Sequence, residues 1–208
     1  MFVKLCGFTR IEDIEFVKNF PVSSVGFIFY KNSRRYVSPH QACEMTSLLK
    51  GSGIKATGVF VDDKADSILK IVESANLDMV QVYNSNTANE LSPFIPVISC
   101  IRVGGPEQRT LPEPHNGGMI LFDTYSALSH GGTGKNFNHD LIREYPYREK
   151  MIIAGGVNEF NVKNIIRELR PGGIDISSGI EISEGIKSSE KILKIMQAIA
   201  EVKNDINA

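Results

Sequence analysis

Met151-Ile-Ile-Ala-Gly-Gly-Val-Asn158 and, one helix-sized segment later, Gly172-Gly-Ile-Asp-Ile-Ser-Ser-Gly-Ile-Glu181 decide the fold of this chain. Each is a short apolar strand that ends abruptly in small residues, Ala154-Gly155-Gly156 in the first and Ser177-Ser178-Gly179 in the second. Between them Asn158 reads as an N-cap, with Phe160, Val162, Ile165, Ile166 and Leu169 forming the apolar face of a helix stopped by Pro171-Gly172-Gly173. That is one βαβ unit with a glycine-rich mouth. Side-chain-free backbone lets an anion approach closely, and a helix N-terminus aimed at it adds a favourable dipole, so the expected occupant is a phosphate. In an eight-stranded α/β barrel such a site falls after strands seven and eight. The same glycines would also serve as plain tight turns.

Six further βα units precede this pair. The strands are expected at Phe2–Cys6, Ser24–Tyr30, Ile54–Val61, Asp78–Tyr83, Val97–Val103 and Met119–Asp123, with helices at Arg10–Phe20, Ser38–Leu49, Ala65–Ala75, Thr87–Leu91 and His139–Tyr145. Thr9 is the expected cap of the first helix, and Ser38 followed by Pro39 is a strong start signal for the second. The segment Gly104–Asn116 carries three prolines and is the least helical crossover. A closing helix is expected over Ser188–Val202. The strands are apolar, β-branched runs without clean alternation, as in strands covered on both faces. Eight strands with the glycine-rich pair last favour an α/β fold closed as a (β/α)8 TIM barrel, one domain over residues 1–208, above an open doubly wound sheet.

Charge is nearly balanced, 23 basic against 24 acidic residues, which argues against general affinity for nucleic acid or an anionic membrane. No apolar run is long enough to span a bilayer and the N-terminus lacks a signal-peptide pattern. The three cysteines, Cys6, Cys43 and Cys100, are far apart and fit reduced thiols. A soluble cytoplasmic protein is expected. His40, His115, His130 and His139 show no paired ligand spacing, so no metal is expected, and no Gly-x-Gly-x-x-Gly indicates a dinucleotide.

In such a barrel chemistry sits at the C-terminal strand ends, where Cys6, Tyr30, Asp62, Asp63, Tyr83, Arg102, Asp123, Gly155, Gly156, Ser177 and Ser178 stand. Cys6 and Asp123, on strands one and six, are able to flank one bound molecule as a proton-transfer pair. From residue type alone Cys6 reads more readily as a small core hydrophobe, and Asp123 equally as the start of an Asx turn. Lys4 lies on the face of Cys6, about 6.6 Å below, where a cation favours thiolate. A buried lysine needs a carboxylate, and Asp175 on the eighth strand, adjacent to the first in a closed barrel, is the candidate. In the loop Tyr30-Lys-Asn-Ser-Arg-Arg-Tyr-Val-Ser-Pro39 a guanidinium is able to grip a carboxylate through two parallel bonds, while the other charge is solvated. His130-Gly-Gly-Thr-Gly-Lys135 lacks the context of a nucleotide P-loop and reads as a mobile cover.

Lys4-Leu-Cys-Gly-Phe-Thr9, Gly26-Phe-Ile-Phe-Tyr30 with Ser33-Arg-Arg-Tyr-Val-Ser-Pro39, Gly58-Val-Phe-Val61, Asp78-Met-Val-Gln-Val82, Asp123-Thr with Gly131-Gly-Thr-Gly-Lys135, Ala154-Gly-Gly-Val-Asn158 and Asp175-Ile-Ser-Ser-Gly-Ile-Glu181 together resemble the phosphoribosylanthranilate isomerases of tryptophan biosynthesis, in order and over nearly the whole chain. The resemblance implies an Amadori rearrangement of an aminoaldose to an aminoketose, without metal or organic cofactor. It implies Asp123 as general acid, Cys6 as general base, Arg35 at the anthranilate carboxylate, and Gly155, Gly156, Ser178 and Gly179 as the phosphate cup. Gly131 and Gly132 fall in the substrate-covering loop, and Tyr83 offers a donor and an aromatic face able to pack on anthranilate. The partner is a small phosphorylated molecule, with the chain a monomer or homodimer. Where the family has His-Gly, this chain has Tyr83-Asn84, and retained activity is expected. Two other readings are a lyase or synthase of the same fold, which would need a strand-end lysine, and a phosphosugar-binding barrel without turnover.

Overall fold

The structure is a computed structural model and describes residues 1–103, 111–114, 118–123 and 140–207. Eight parallel strands close into a barrel in sequence order: β1 (Phe2–Cys6), β2 (Ser24–Ile28), β3 (Lys55–Phe60), β4 (Met79–Val82), β5 (Val97–Arg102), β6 (Met119–Asp123), β7 (Met151–Ala154) and β8 (Gly173–Ile176). Closure is direct, because Lys4 and Leu5 of β1 stand opposite Asp175 and Ile176 of β8. Outside lie α1 (Ile11–Val17), α2 (Pro39–Leu48), α3 (Ala65–Ser74), α4 (Ser85–Leu91), α5 (Asp140–Arg143), α6 (Val162–Leu169) and α7 (Ser189–Asn207). No helix lies between β5 and β6 among the described residues. Among these residues no helix is long and apolar enough to cross a membrane.

Strand alternation divides the apolar residues into two layers. Outward positions such as Val3, Leu5, Val25, Phe27, Val80, Phe122, Ile153 and Ile174 pack against the helices. Inward ones, Ile98, Cys100, Leu121, Ile152 and Ala154, fill the barrel together with Phe2, Met79, Tyr83 and Met119. Both faces of each strand are therefore covered, which is why the sequence shows unbroken apolar runs. Inside the barrel Ser24 pairs with Thr57 at 2.6 Å and Lys4 with Asp175 at 3.0 Å, each between neighbouring strands, while the buried Gln81 Oε1 has no hydrogen-bond partner among the described residues. Lys4 is fully buried, so this ion pair, expected from the alternation, stands inside the barrel wall.

Local sequence explains most helix starts. Ser38 accepts from the Gln41 amide while the Gln41 side chain accepts from the Ser38 amide, with Pro39 at the first helical position, a complete capping box. Asn84 caps α4 by accepting from the amides of Asn86 and Thr87.

Two expected caps are corrected. The Thr9 hydroxyl donates to the Gly185 carbonyl at 2.6 Å, leaving α1 without a side-chain cap. Asn158 accepts from the Phe160 amide in a turn ahead of α6, which starts only at Val162, so Phe160 is exposed and not part of the apolar face. The sequence reading also lacked a hairpin, β9 (Glu181–Ser183) with β10 (Ile186–Lys187), that folds over the end of β8 after a single 3-10 turn at Ser178–Ile180. Its two-residue turn, Glu184-Gly185, uses Gly185 at φ +85°.

Candidate active site

Cys6 ends β1 at the C-terminal mouth and stands opposite Gly26 of β2. A Cβ at Gly26 would lie 2.6 Å from the Cys6 sulfur and 3.2 Å from its Cα, so the glycine makes room for the thiol. At Gly7, with φ +82°, a Cβ would lie 2.7 Å from Arg35 Cδ, 3.2 Å from Ser177 Oγ and 3.4 Å from Lys187 Nζ. Three polar side chains from three different segments thus converge at Gly7, the residue after Cys6. Lys187 Nζ donates to the Cys6 carbonyl and to Glu181 Oε1, the latter at 2.8 Å.

Arg35 lies in the loop before α2, and its Nε and Nη2 engage the Glu181 carboxylate at 2.9 and 2.6 Å. This bidentate pair fixes the side-on edge of the guanidinium. Nη1 stands 3.7 Å from Glu184 and Arg34 Nη1 is 2.9 Å from the same carboxylate. Burial pushes the Glu181 carboxyl up, but hydrogen bonds from Arg35 and Lys187 outweigh it and hold the group below its usual range.

Across the mouth, Asp123 ends β6 between Arg102 of β5 and Ala154 of β7. Burial raises its carboxyl, the charge of Asp175 raises it further, and Arg102 and Lys4 act in the opposite direction. A carboxyl biased toward its protonated form suits an acid. Tyr83 follows β4, with the Arg102 guanidinium 5.1 Å from the centre of its ring. Burial pushes its phenol upward, and the Cys100 thiol and Asp123 add to that.

At Cys6 the expected cation is in place, but burial is the larger effect. Lys4 does favour the thiolate, and Lys187 adds to it, but burial outweighs both and the thiol titrates above its ordinary 9.0. The cation was legible from strand alternation; the desolvation that defeats it depends on the surrounding walls.

The two glycine-rich strand ends touch. A Cβ on Gly179 would lie 2.0 Å from the Val157 carbonyl, so the loop after β8 packs directly against the loop after β7. Gly155 and Gly156 both take positive φ, +86° and +66°. Asn158 and Asn161 side-chain amides each donate to the Gly156 carbonyl, at 3.0 and 2.9 Å, and set the shape of the loop. Ser178 opens the 3-10 turn that follows β8. Gly131 and Gly132, with the rest of the expected covering loop through Lys135, lie outside the described residues.

Glu181 and Lys187 were not assigned roles from sequence. The available signal was the alternation of Glu181-Ile-Ser-Glu-Gly-Ile-Lys187 about a glycine, which marks a hairpin.

The comparisons agree on one family. Its model, described as N-(5'-phosphoribosyl)anthranilate (PRA) isomerase, matches residues 3–198. An N-(5'-phosphoribosyl)anthranilate isomerase of Thermoanaerobacter sp. (strain X514) is 36% identical over 178 residues, 85% of this chain and 87% of the relative. The crystal structure of phosphoribosyl anthranilate isomerase from Thermotoga maritima superposes with a TM-score of 0.83 at 29% identity, covering 97% of this chain and 99% of that one. A phosphoribosyl anthranilate isomerase crystallised with reduced 1-(o-carboxyphenylamino)-1-deoxyribulose 5-phosphate gives 0.79 at 27% identity, with coverage of 97% and 99%.

Proposed function

The chain belongs to the N-(5'-phosphoribosyl)anthranilate isomerase family, and from that premise we propose how its residues divide the work of the isomerisation it catalyses. The reaction converts the aminoaldose to 1-(2-carboxyphenylamino)-1-deoxyribulose 5-phosphate, a step of L-tryptophan biosynthesis. Asp123 gives its proton to the furanose ring oxygen, which opens the ring to a protonated imine. Cys6 then removes the proton from C2′, and the resulting enolamine tautomerises to the ketone. The substrate nitrogen gives its lone pair as the ring oxygen leaves and takes a pair back as the C2′–H bond breaks and the enolamine forms.

The observation that carries this reading is the pair of strand ends: Cys6 on β1 and Asp123 on β6, at one barrel mouth, with the carboxyl biased toward its protonated form. The raised thiol makes the thiolate the minor form of Cys6, one that Lys4 and Lys187 favour, and it is this form that removes the C2′ proton. Arg35 receives the anthranilate carboxylate on the guanidinium edge that Glu181 does not occupy. Gly155, Gly156, Ser178 and Gly179 receive the phosphate, supported by the contact between their two loops and the positive φ of the first two. Tyr83 packs on the anthranilate ring.

The test is the loss of anthranilate fluorescence from freshly formed phosphoribosylanthranilate, with Cys6→Ser and Asp123→Asn beside the unsubstituted chain. Each variant is expected to fall by about a hundredfold or more, the scale of a lost general acid or base. A folded, substrate-binding chain without turnover would leave a phosphosugar-binding barrel instead.

A further inference from the structure

Glu181 is nearly fully buried, yet it holds two cations that point to opposite tasks. Its carboxylate takes Nε and Nη2 of Arg35, and Oε1 also takes Lys187 Nζ at 2.8 Å and the Gly185 amide at 3.3 Å. The remaining bond of the lysine goes to the carbonyl of Cys6, and its ammonium stands 5.3 Å from the centre of the Phe8 ring. The hairpin carrying both residues is itself tied down. The Lys187 amide donates to Asp13 on α1 at 3.2 Å, and Lys191 Nζ of α7 donates to the Glu181 carbonyl at 2.7 Å.

A buried lysine is costly unless its charge is paired, and here Glu181 pairs it at 2.8 Å. Burial pulls its ammonium down, which Glu181 partly offsets. What the pair does achieve is geometric. One carboxylate sets both the direction of the Arg35 fork and the height of a cation over the Cys6 backbone. We propose that Glu181 and Lys187 are positioning residues, Glu181 acting through Arg35 on the substrate carboxylate and Lys187 acting through Cys6 on the base. This inference rests on the residue roles proposed above and deepens them. Among the described residues, the charged and titratable groups that face Cys6 are Lys4 on its own strand, Asp175 from β8, Lys187 from β10, Arg35 from the loop before α2 and Tyr83 after β4. Lys187 is the one of these tied directly to the Cys6 backbone by a bond an observer can cut without touching the barrel interior.

Two readouts separate this from a structural role. Peptide-resolved alkylation of Cys6 by iodoacetamide, followed against pH without substrate, reports the thiol alone. In Lys187→Met its midpoint is expected to rise by about one pH unit, the scale of a lost neighbouring charge, and Lys187→Arg is expected to restore it. In the near-isosteric Glu181→Gln the lysine is less neutralised, so the midpoint is expected to fall, which keeps the test intact if Lys187→Met does not fold. In steady-state turnover, Glu181→Gln is expected to raise KM about tenfold with kcat changed less than about threefold, because it loosens a grip made in ground and transition states alike. Unmoved alkylation midpoints in the folded variants, or a kcat loss as large as the KM gain in Glu181→Gln, would overturn the proposal. Absence of turnover in the unsubstituted chain would instead remove the isomerase roles and leave the alkylation result to be read by itself.

Discussion

Lys4 on the first strand and Asp175 on the last meet at 3.0 Å inside the barrel, both buried, at the seam where the sheet closes on itself. Burial alone would lower the Lys4 ammonium; Asp175 and Cys6 outweigh it and hold the group above its ordinary 10.5.

Breaking this pair from one side should therefore be expensive. Lys4→Met leaves a buried carboxylate without its cation and is expected to cost about 3–5 kcal/mol by urea unfolding, whereas Lys4→Met with Asp175→Leu should recover most of it. Because the folded ammonium titrates above the unfolded one, the contribution is complete below 10.5 and is lost as pH rises through the folded value. Single variants within about 1 kcal/mol of the unsubstituted chain, as for an exposed pair, would contradict this.

At the mouth, Gly26 and Cys6 share one space. Gly26→Ala puts a methyl 2.6 Å from the thiol and 3.2 Å from the Cys6 backbone, so β1 and β2 must part or the sulfur must move. The expected stability loss is about 1–3 kcal/mol from overpacking. Turnover should drop further, by about a hundredfold, since a displacement near 1 Å of a reacting group has that effect. Retained kcat in Gly26→Ala, measured by the fluorescence assay, would mean the thiol position does not matter.

How far this was legible follows from distance along the chain. The Ser38 capping box is closed by residues three apart, and the sequence states it outright. Lys4 with Asp175 was legible although 171 residues separate them, because alternation puts Lys4 inside and closure makes the strands neighbours. The Arg35–Glu181 pair spans 146 residues and depends on a hairpin that adds nothing to the eightfold repeat, so no pattern announced it. Thr9 illustrates the same failure on a small scale: its hydroxyl suited a helix cap, but the hairpin turn supplied a carbonyl 176 residues away. The direction of the Cys6 shift was lost for a different reason, since a sequence names the nearby cation but not the water its walls exclude.

The proposed roles place opposite protonation demands on Cys6 and Asp123, and these shape the pH profile. In those roles the reactive form has the thiolate and the neutral carboxyl, yet the thiol lies above 9.0 and the carboxyl rises from 3.8. Below the carboxyl value, protonated Asp123 is already saturated while thiolate still falls; above the thiol value, thiolate is saturated while protonated Asp123 still falls. The profile of kcat/KM is thus expected to be a bell whose acid limb belongs to Asp123 and whose alkaline limb belongs to Cys6. An alkaline limb well below 9.0 would show that burial does not hold the thiol up.

Acid stability tests the hairpin separately. The Glu181 carboxyl titrates below its ordinary 4.5, so the unfolded chain binds the proton more tightly and ionised Glu181 stabilises the fold. That contribution is present above 4.5 and lost as pH falls through the folded value. Urea midpoints are expected to decline across this window, and less so in Glu181→Gln, which has no carboxylate to protonate. Parallel declines in both chains would assign the acid sensitivity elsewhere.

Tyr83 departs from the His of the resembling family, and its surroundings say which part of it matters. The ring lies under the Arg102 guanidinium and packs against the inner apolar layer, while the phenol is buried and kept neutral. If the ring that stacks on the Arg102 guanidinium also packs on the substrate ring, as proposed, it acts through its face, and Tyr83→Phe should keep kcat and KM within about threefold. Tyr83→Ala removes the face, and KM should rise about tenfold, the size of one stacking contact together with one cation–π contact. Tyr83→His tests the departure directly, and it is expected to keep turnover because the acid and the base stand on other strands. A collapse of kcat in Tyr83→Phe would move the hydroxyl into the proton-transfer machinery and require Asp123 to share its role.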